Sequence, residues 1–275
     1  MMRYIKLVNF EINRFSKIYL SLLLITLVSQ FAGVIIVTKS LLNDARDIMK
    51  EERLSEAAYI TNYGGIDFNH IANSLLFVGP IALSAVALIF YIFLIWYRDW
   101  FGKNTFIYRL LILPTSRLSI YLSKATSIFL MVLGLIAFQI IILPMENALF
   151  NSNVPEALLS EMSISTITIA NPILSLIIPS TFTQFLISYG IGLMIMSILF
   201  TAIMFERSFR IKGIIMGLLY CGIAAVLFLA PVLMEIGNFY FYPNELFGMM
   251  LAIGIILTGL SVWLGAWLLK NRVTV

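Results

Sequence analysis

Hydrophobic and polar positions alternate along this chain on the scale of a bilayer. Six long, mostly uncharged apolar runs stand out, at 18–37, 74–97, 125–145, 183–205, 211–234 and 246–269. A helix rises ~1.5 Å per residue, so each run can cross a hydrocarbon layer of ~30 Å. The pattern predicts an all-α polytopic membrane protein with six transmembrane helices in a single domain. Before the first run, Tyr4, Val8, Ile12 and Phe15 share one helical face, while Lys6, Asn9, Asn13 and Lys17 fall elsewhere. Residues 1–17 therefore read as an amphipathic interfacial helix lying among lipid headgroups. A cleaved signal peptide fits less well: the basic segment is long, and no small-residue cleavage site follows the apolar run.

The connections differ in character. Residues 38–73 form a charged loop, in which Leu41, Ala45, Ile48 and Met49 nonetheless keep helical spacing. Residues 146–172 carry acids but no lysine or arginine, and Pro179-Ser180-Thr181 divides a short interfacial or re-entrant piece from span four. Trp96, Tyr97 and Trp100 cluster at the end of span two, and Phe239 to Tyr242 form a second aromatic group, as at membrane interfaces. The insert at 98–124 stands apart: Arg98, Lys103, Arg109, Arg117 and Lys124 face a single acid, Asp99. Within it a helix is expected over 102–112, with Phe106, Leu110 and Leu113 as an apolar stripe and Ile107 and Leu111 alongside. Pro114 bars helical geometry at the preceding residue, and Thr115 or Ser116 can cap the next helix. A soluble partner or the lipid surface could cover that stripe, with Phe106 and Leu110 as anchors and Arg109 at the rim.

Charge gives the orientation. With the amino terminus inside, 14 of the 18 basic residues and only Glu11, Asp99 and Glu206 among the acids fall on the inner side. The positive-inside rule then predicts both termini in the cytoplasm and a location in the cytoplasmic membrane. The surplus of basic residues faces anionic lipid, which removes nucleic acid as a partner. At 61% hydrophobic and 12% charged residues, the chain has about half the charge of a soluble domain.

Candidate chemistry is sparse. Cys221 is the single cysteine and His70 the single histidine, too few for a metal site built on those residues. The Glu51-Glu52 pair lies in a hydrophilic loop, and Gly102-Lys103-Asn104-Thr105 lacks the hydroxyl and upstream glycine of a phosphate-binding loop. No acid or base sits in the middle of a span, where ion-coupled carriers keep one; Glu146 and Glu235 fall at outer ends. The reading is of a protein that is no enzyme and holds no cofactor. Gly213 and Gly217 form a G-x-x-x-G in span five, suited either to a dimer contact or to helix packing within the chain.

The phrase Leu110-Leu111-Ile112-Leu113-Pro114-Thr115-Ser116-Arg117, followed by Tyr121-Leu122-Ser123-Lys124, together with six spans and the insert between spans two and three, resembles the permease subunits of ABC-2-type ATP-binding-cassette exporters. The resemblance implies that 98–124 is a coupling segment, with Lys103, Phe106, Ile107, Arg109, Leu110, Leu113, Pro114 and Arg117 meeting a separate cytoplasmic ATPase present in two copies. It further implies ATP and Mg on that partner, a second permease subunit of the same or a related kind, and export of a hydrophobic or amphipathic substrate. The chain departs from the family in its long charged loop after span one and its short loop at 235–245. A stand-alone membrane immunity or sensor protein, binding a peptide without transport, is the alternative.

Overall fold

The computed structural model describes residues 2–100, 116–237 and 240–272. The described chain is almost entirely helical. In order, the helices are α1 (Met2–Glu51), α2 (Glu56–Tyr63), α3 (Asn69–Ala72), α4 (Leu75–Trp100), α5 (Arg117–Asn153), α6 (Ile164–Ala170), α7 (Pro172–Ile177), α8 (Phe182–Phe209), α9 (Ile211–Ile236) and α10 (Pro243–Asn271). Six of them, α1, α4, α5, α8, α9 and α10, are long and apolar enough to cross a membrane.

The largest difference from the sequence reading is α1. The interfacial helix expected to end at Lys17, span one and the first part of the expected charged loop form one helix of 50 residues. No proline interrupts residues 2–51, and the sole glycine, Gly33, sits where α4 approaches closely. A β-carbon on Gly33 would stand 2.9 Å from the Leu76 β-carbon, so only glycine fits without a shift. The helical spacing at Leu41, Ala45, Ile48 and Met49 continues the helix instead of starting a loop, because Leu42 and Ala45 are buried in a core.

Contacts divide the chain into two units. One comprises residues 15–87 and 131–182. Its core joins Val34 and Leu42 of α1, Phe77 of α4 and Leu143 and Phe150 of α5 to Phe68, Ile71, Ile167 and Leu174. Phe68 lies edge-on to both Phe77 and Phe150, at 6.0 and 5.7 Å. The residues expected as loops fold onto this core. The Ile66 amide donates to the Leu158 carbonyl at 2.8 Å, and the Ser160 amide donates back to the Ile66 carbonyl at 2.9 Å. Asn171 caps α7 by accepting from the Ile173 and Leu174 amides, while its amide nitrogen donates to the Ala72 carbonyl. A buried side chain that closes one helix and ties it to another satisfies groups that would otherwise be orphaned.

The other unit comprises residues 1–14, 88–130 and 183–275. Three rings form its centre, with Trp96 and Tyr121 each edge-on or tilted to the others and to Phe200 at 5.4–6.1 Å. The Tyr121 hydroxyl donates to the Ser197 carbonyl, and Thr201 donates to the Ser261 carbonyl, linking α5 to α8 and α8 to α10. The α8–α9 connection is a single residue, Arg210, at φ 54°. Gly213 and Gly217 follow at once and are packed within the hairpin: a β-carbon on Gly213 would collide with the Phe205 carbonyl, and one on Gly217 would stand 3.0 Å from the Ala202 oxygen.

Candidate functional site: a buried charge network at the stems of the basic insert

Sequence spacing puts Glu11 and Arg14 one turn apart on α1, Arg98 and Asp99 at the end of α4, and Lys124 two turns into α5. The fold brings all five together. The Lys124 ammonium donates to Glu11 Oε1 at 2.6 Å, to Asp99 Oδ2 at 2.5 Å and to the Ile95 carbonyl at 2.9 Å. Those three bonds use all three ammonium hydrogens. Arg14 completes Asp99 at 2.6 Å, and Arg98 completes Glu11 at 3.1 Å. Asp99 and Lys124 are 0% exposed and Glu11 is 2% exposed, while the two arginines reach partway to the surface.

Three cations against two carboxylates leave this cluster with one net positive charge. The excess is spread over aromatic faces: Lys124 lies 5.1 Å from the Trp96 ring centroid, Arg98 5.7 Å from Tyr91 and Arg14 5.1 Å from Phe10. Rings provide negative faces where a water shell is lost. Buried charges are tolerated only when paired and hydrogen-bonded, and each carboxylate here accepts from at least two cationic donors.

The same end of the unit is tied at further points. Tyr97 donates to Glu206, and Arg207 stacks over Tyr97 and Trp100 at 4.7 and 5.5 Å, joining α4 to α8. Arg117 donates to the carbonyls of Leu269 and Lys270, satisfying the last turn of α10 from the first residue of α5. Tyr4 meets Thr126 at 2.5 Å, and Ser127 donates to the Val8 carbonyl, so α1 lies along α5 beside the charge network.

These ties surround the two stems of the basic insert, α4 up to Trp100 and α5 from Arg117. Of the residues expected to meet a partner, Lys103, Phe106, Ile107, Arg109, Leu110, Leu113 and Pro114 lie outside the described residues; Arg117 lies within them, bonded to α10. The network itself escaped the sequence reading, which took Lys124 as one more basic residue of the insert. A signal was present: Glu11 and Asp99 are the lone acids of two segments that are otherwise basic. No three or more His, Cys, Asp or Glu residues converge on a metal site among the described residues. The chain matches no protein-family model, no curated protein and no solved structure.

Proposed function

We propose that this protein is the transmembrane permease subunit of an ATP-driven exporter of the ABC-2 type. It moves a hydrophobic or amphipathic substrate such as a peptide, antibiotic or lipid-like molecule. The observation that carries the reading is the charge network: it ties both stems of the basic insert to the amino-terminal helix through the buried Glu11, Asp99 and Lys124. Motion imposed on 101–115 by a partner would then pass to α1, α4 and α5 together, because a clamp of this kind resists separation of its members. Six membrane-length helices fit a permease, and the resemblance of the Leu110–Arg117 and Tyr121–Lys124 phrases supplies the class.

On this reading ATP and Mg are bound and consumed by a separate cytoplasmic ATPase, present in two copies, beneath two permease subunits. Both termini and the insert face the cytoplasm on this reading, which the distribution of basic residues supports. The test is Phe106→Ala combined with Leu110→Ala. Loss of ATPase association, with the six-span protein still inserted and folded, is the expected result; normal association and substrate-stimulated ATP turnover would contradict it.

One observation favours the immunity or sensor reading instead. Residues 38–73 and 146–178 are folded onto a shared core, giving a built surface where short loops would suffice for a simple pore. That reading requires no ATPase, so the same association experiment separates the two.

A further inference from the structure

The unit formed by residues 15–87 and 131–182 holds a carboxyl that the transport reading does not use. Glu146 lies on α5, one residue past the predicted end of span three, and is 0% exposed. Neither of its oxygens has a hydrogen-bond partner among the described residues. On its own helix it stands between Leu143 and Phe150, both members of the apolar core.

Its level against α1 follows from helix register. The Tyr19 hydroxyl bonds the Met131 carbonyl, and Gln30 Nε2 bonds Gln139 Oε1, so α1 and α5 run in the same direction here. From the Gln30–Gln139 bond, eight residues along α1 lead to Thr38 and seven along α5 lead to Glu146, rises of about 12 and 10.5 Å. Thr38 is likewise buried, between Val34 and Leu42 of the same core, and its hydroxyl also lacks a partner among the described residues. The other orphaned side-chain atoms of this unit among the described residues are the oxygens of Gln30, Ser74, Ser84, Asn147 and Asn151 and the amide nitrogen of Gln139.

The charged groups of the neighbouring elements do not compensate Glu146. On α1, Lys39, Asp44, Arg46, Asp47, Lys50 and Glu51 are exposed, as are Glu52, Arg53, Glu56, Glu156 and Glu161, while Asp67 accepts from the Asn69 amide and lies 3.9 Å from the exposed His70. The stretch 75–87 of α4, α6 and α7 carry no titratable side chain, and Tyr59 of α2 is the buried phenol of the same core. An ionised carboxylate in such a place would be a lone charge in an apolar core, whereas the protonated acid is neutral and gains a donor.

We propose that Glu146 is a proton-binding site, occupied while α1 and α5 are packed around it at the level of Thr38, and that its ionisation loosens that packing. On ionisation the O–H bond breaks, the electron pair stays on the carboxylate and the proton passes to water. The new charge is hydrated only where the α1–α5 contact opens. The site thereby makes this unit responsive to protons, whether or not an ATPase acts on the chain.

The test uses the full-length protein in lipid nanodiscs, studied by infrared spectroscopy in heavy water at neutral pH. The wild type should show the carbonyl stretch of an unionised carboxylic acid, and E146Q and E146L should both lack it. With the proton bound in the folded state and lost in the unfolded one, stability falls as pH rises. The thermal midpoint of the wild type should therefore drop from the acid to the alkaline side of neutrality, and that drop should flatten in E146Q. Absence of the band from the wild type, or its persistence in both variants, would overturn the assignment, the first because the carboxyl would then be ionised.

Discussion

Lys124 commits each of its three hydrogens to a different acceptor, two of them carboxylates on different helices. Removing the ammonium leaves Glu11 and Asp99 facing each other with only Arg14 and Arg98 to offset them. Breaking a buried pair by deleting one partner costs about 3–5 kcal/mol, while replacing the whole set with uncharged groups of similar shape is close to neutral. Lys124→Met should therefore lower the thermal midpoint of the detergent-solubilised protein strongly. Replacing the whole set, with Glu11→Gln, Asp99→Asn, Arg14→Gln and Arg98→Gln added to that variant, should restore most of the loss. A single variant as stable as the wild type would show that the network does not hold the helices. Little of this was legible in the sequence: Glu11 and Lys124 are 113 positions apart, and nothing local to either names the other. The lone acids in basic segments marked the place but not the pairing. Sequence reading put Glu146 at the outer end of a span, and its complete burial depends on packing that sequence spacing does not carry.

Among the elements, the six apolar runs became six long helices because hydropathy over twenty residues is a strong and local signal. Element ends were harder to read where charged residues do not break a helix. In α1 the charged stretch after Val37 stays helical, since it contains no proline or glycine and one face is buried. The glycines of span five fared differently. Either a dimer contact or internal packing suited their spacing, and the structure fills the space at both with the backbone of α8. Gly217→Leu should consequently wedge α8 from α9 and destabilise the hairpin by about 1–3 kcal/mol, the usual range for overpacking. Thermal unfolding of the variant checks this. Unaltered stability accompanied by loss of self-association would place the glycine at a contact between copies instead.

For the molecule as a whole, sequence and structure agree on a helical, multi-pass architecture, while the side of each terminus rests on charge alone. Six crossings return the chain to the side where it began, and the basic stems of the insert stand at the same end of their unit as Arg207 and Arg117. The buried charges of the long helices are Glu11, Asp99 and Lys124 in one unit and Glu146 in the other. Among the described residues, the two helix ends that flank 101–115 are anchored by buried charge. The most direct measurement is affinity purification of the intact protein from its native membrane in mild detergent, with identification of what remains bound. The account predicts an ABC-type ATPase in a one-to-one ratio with this chain and ATP turnover by the complex. Recovery of the folded protein without any ATP-hydrolysing subunit would contradict it.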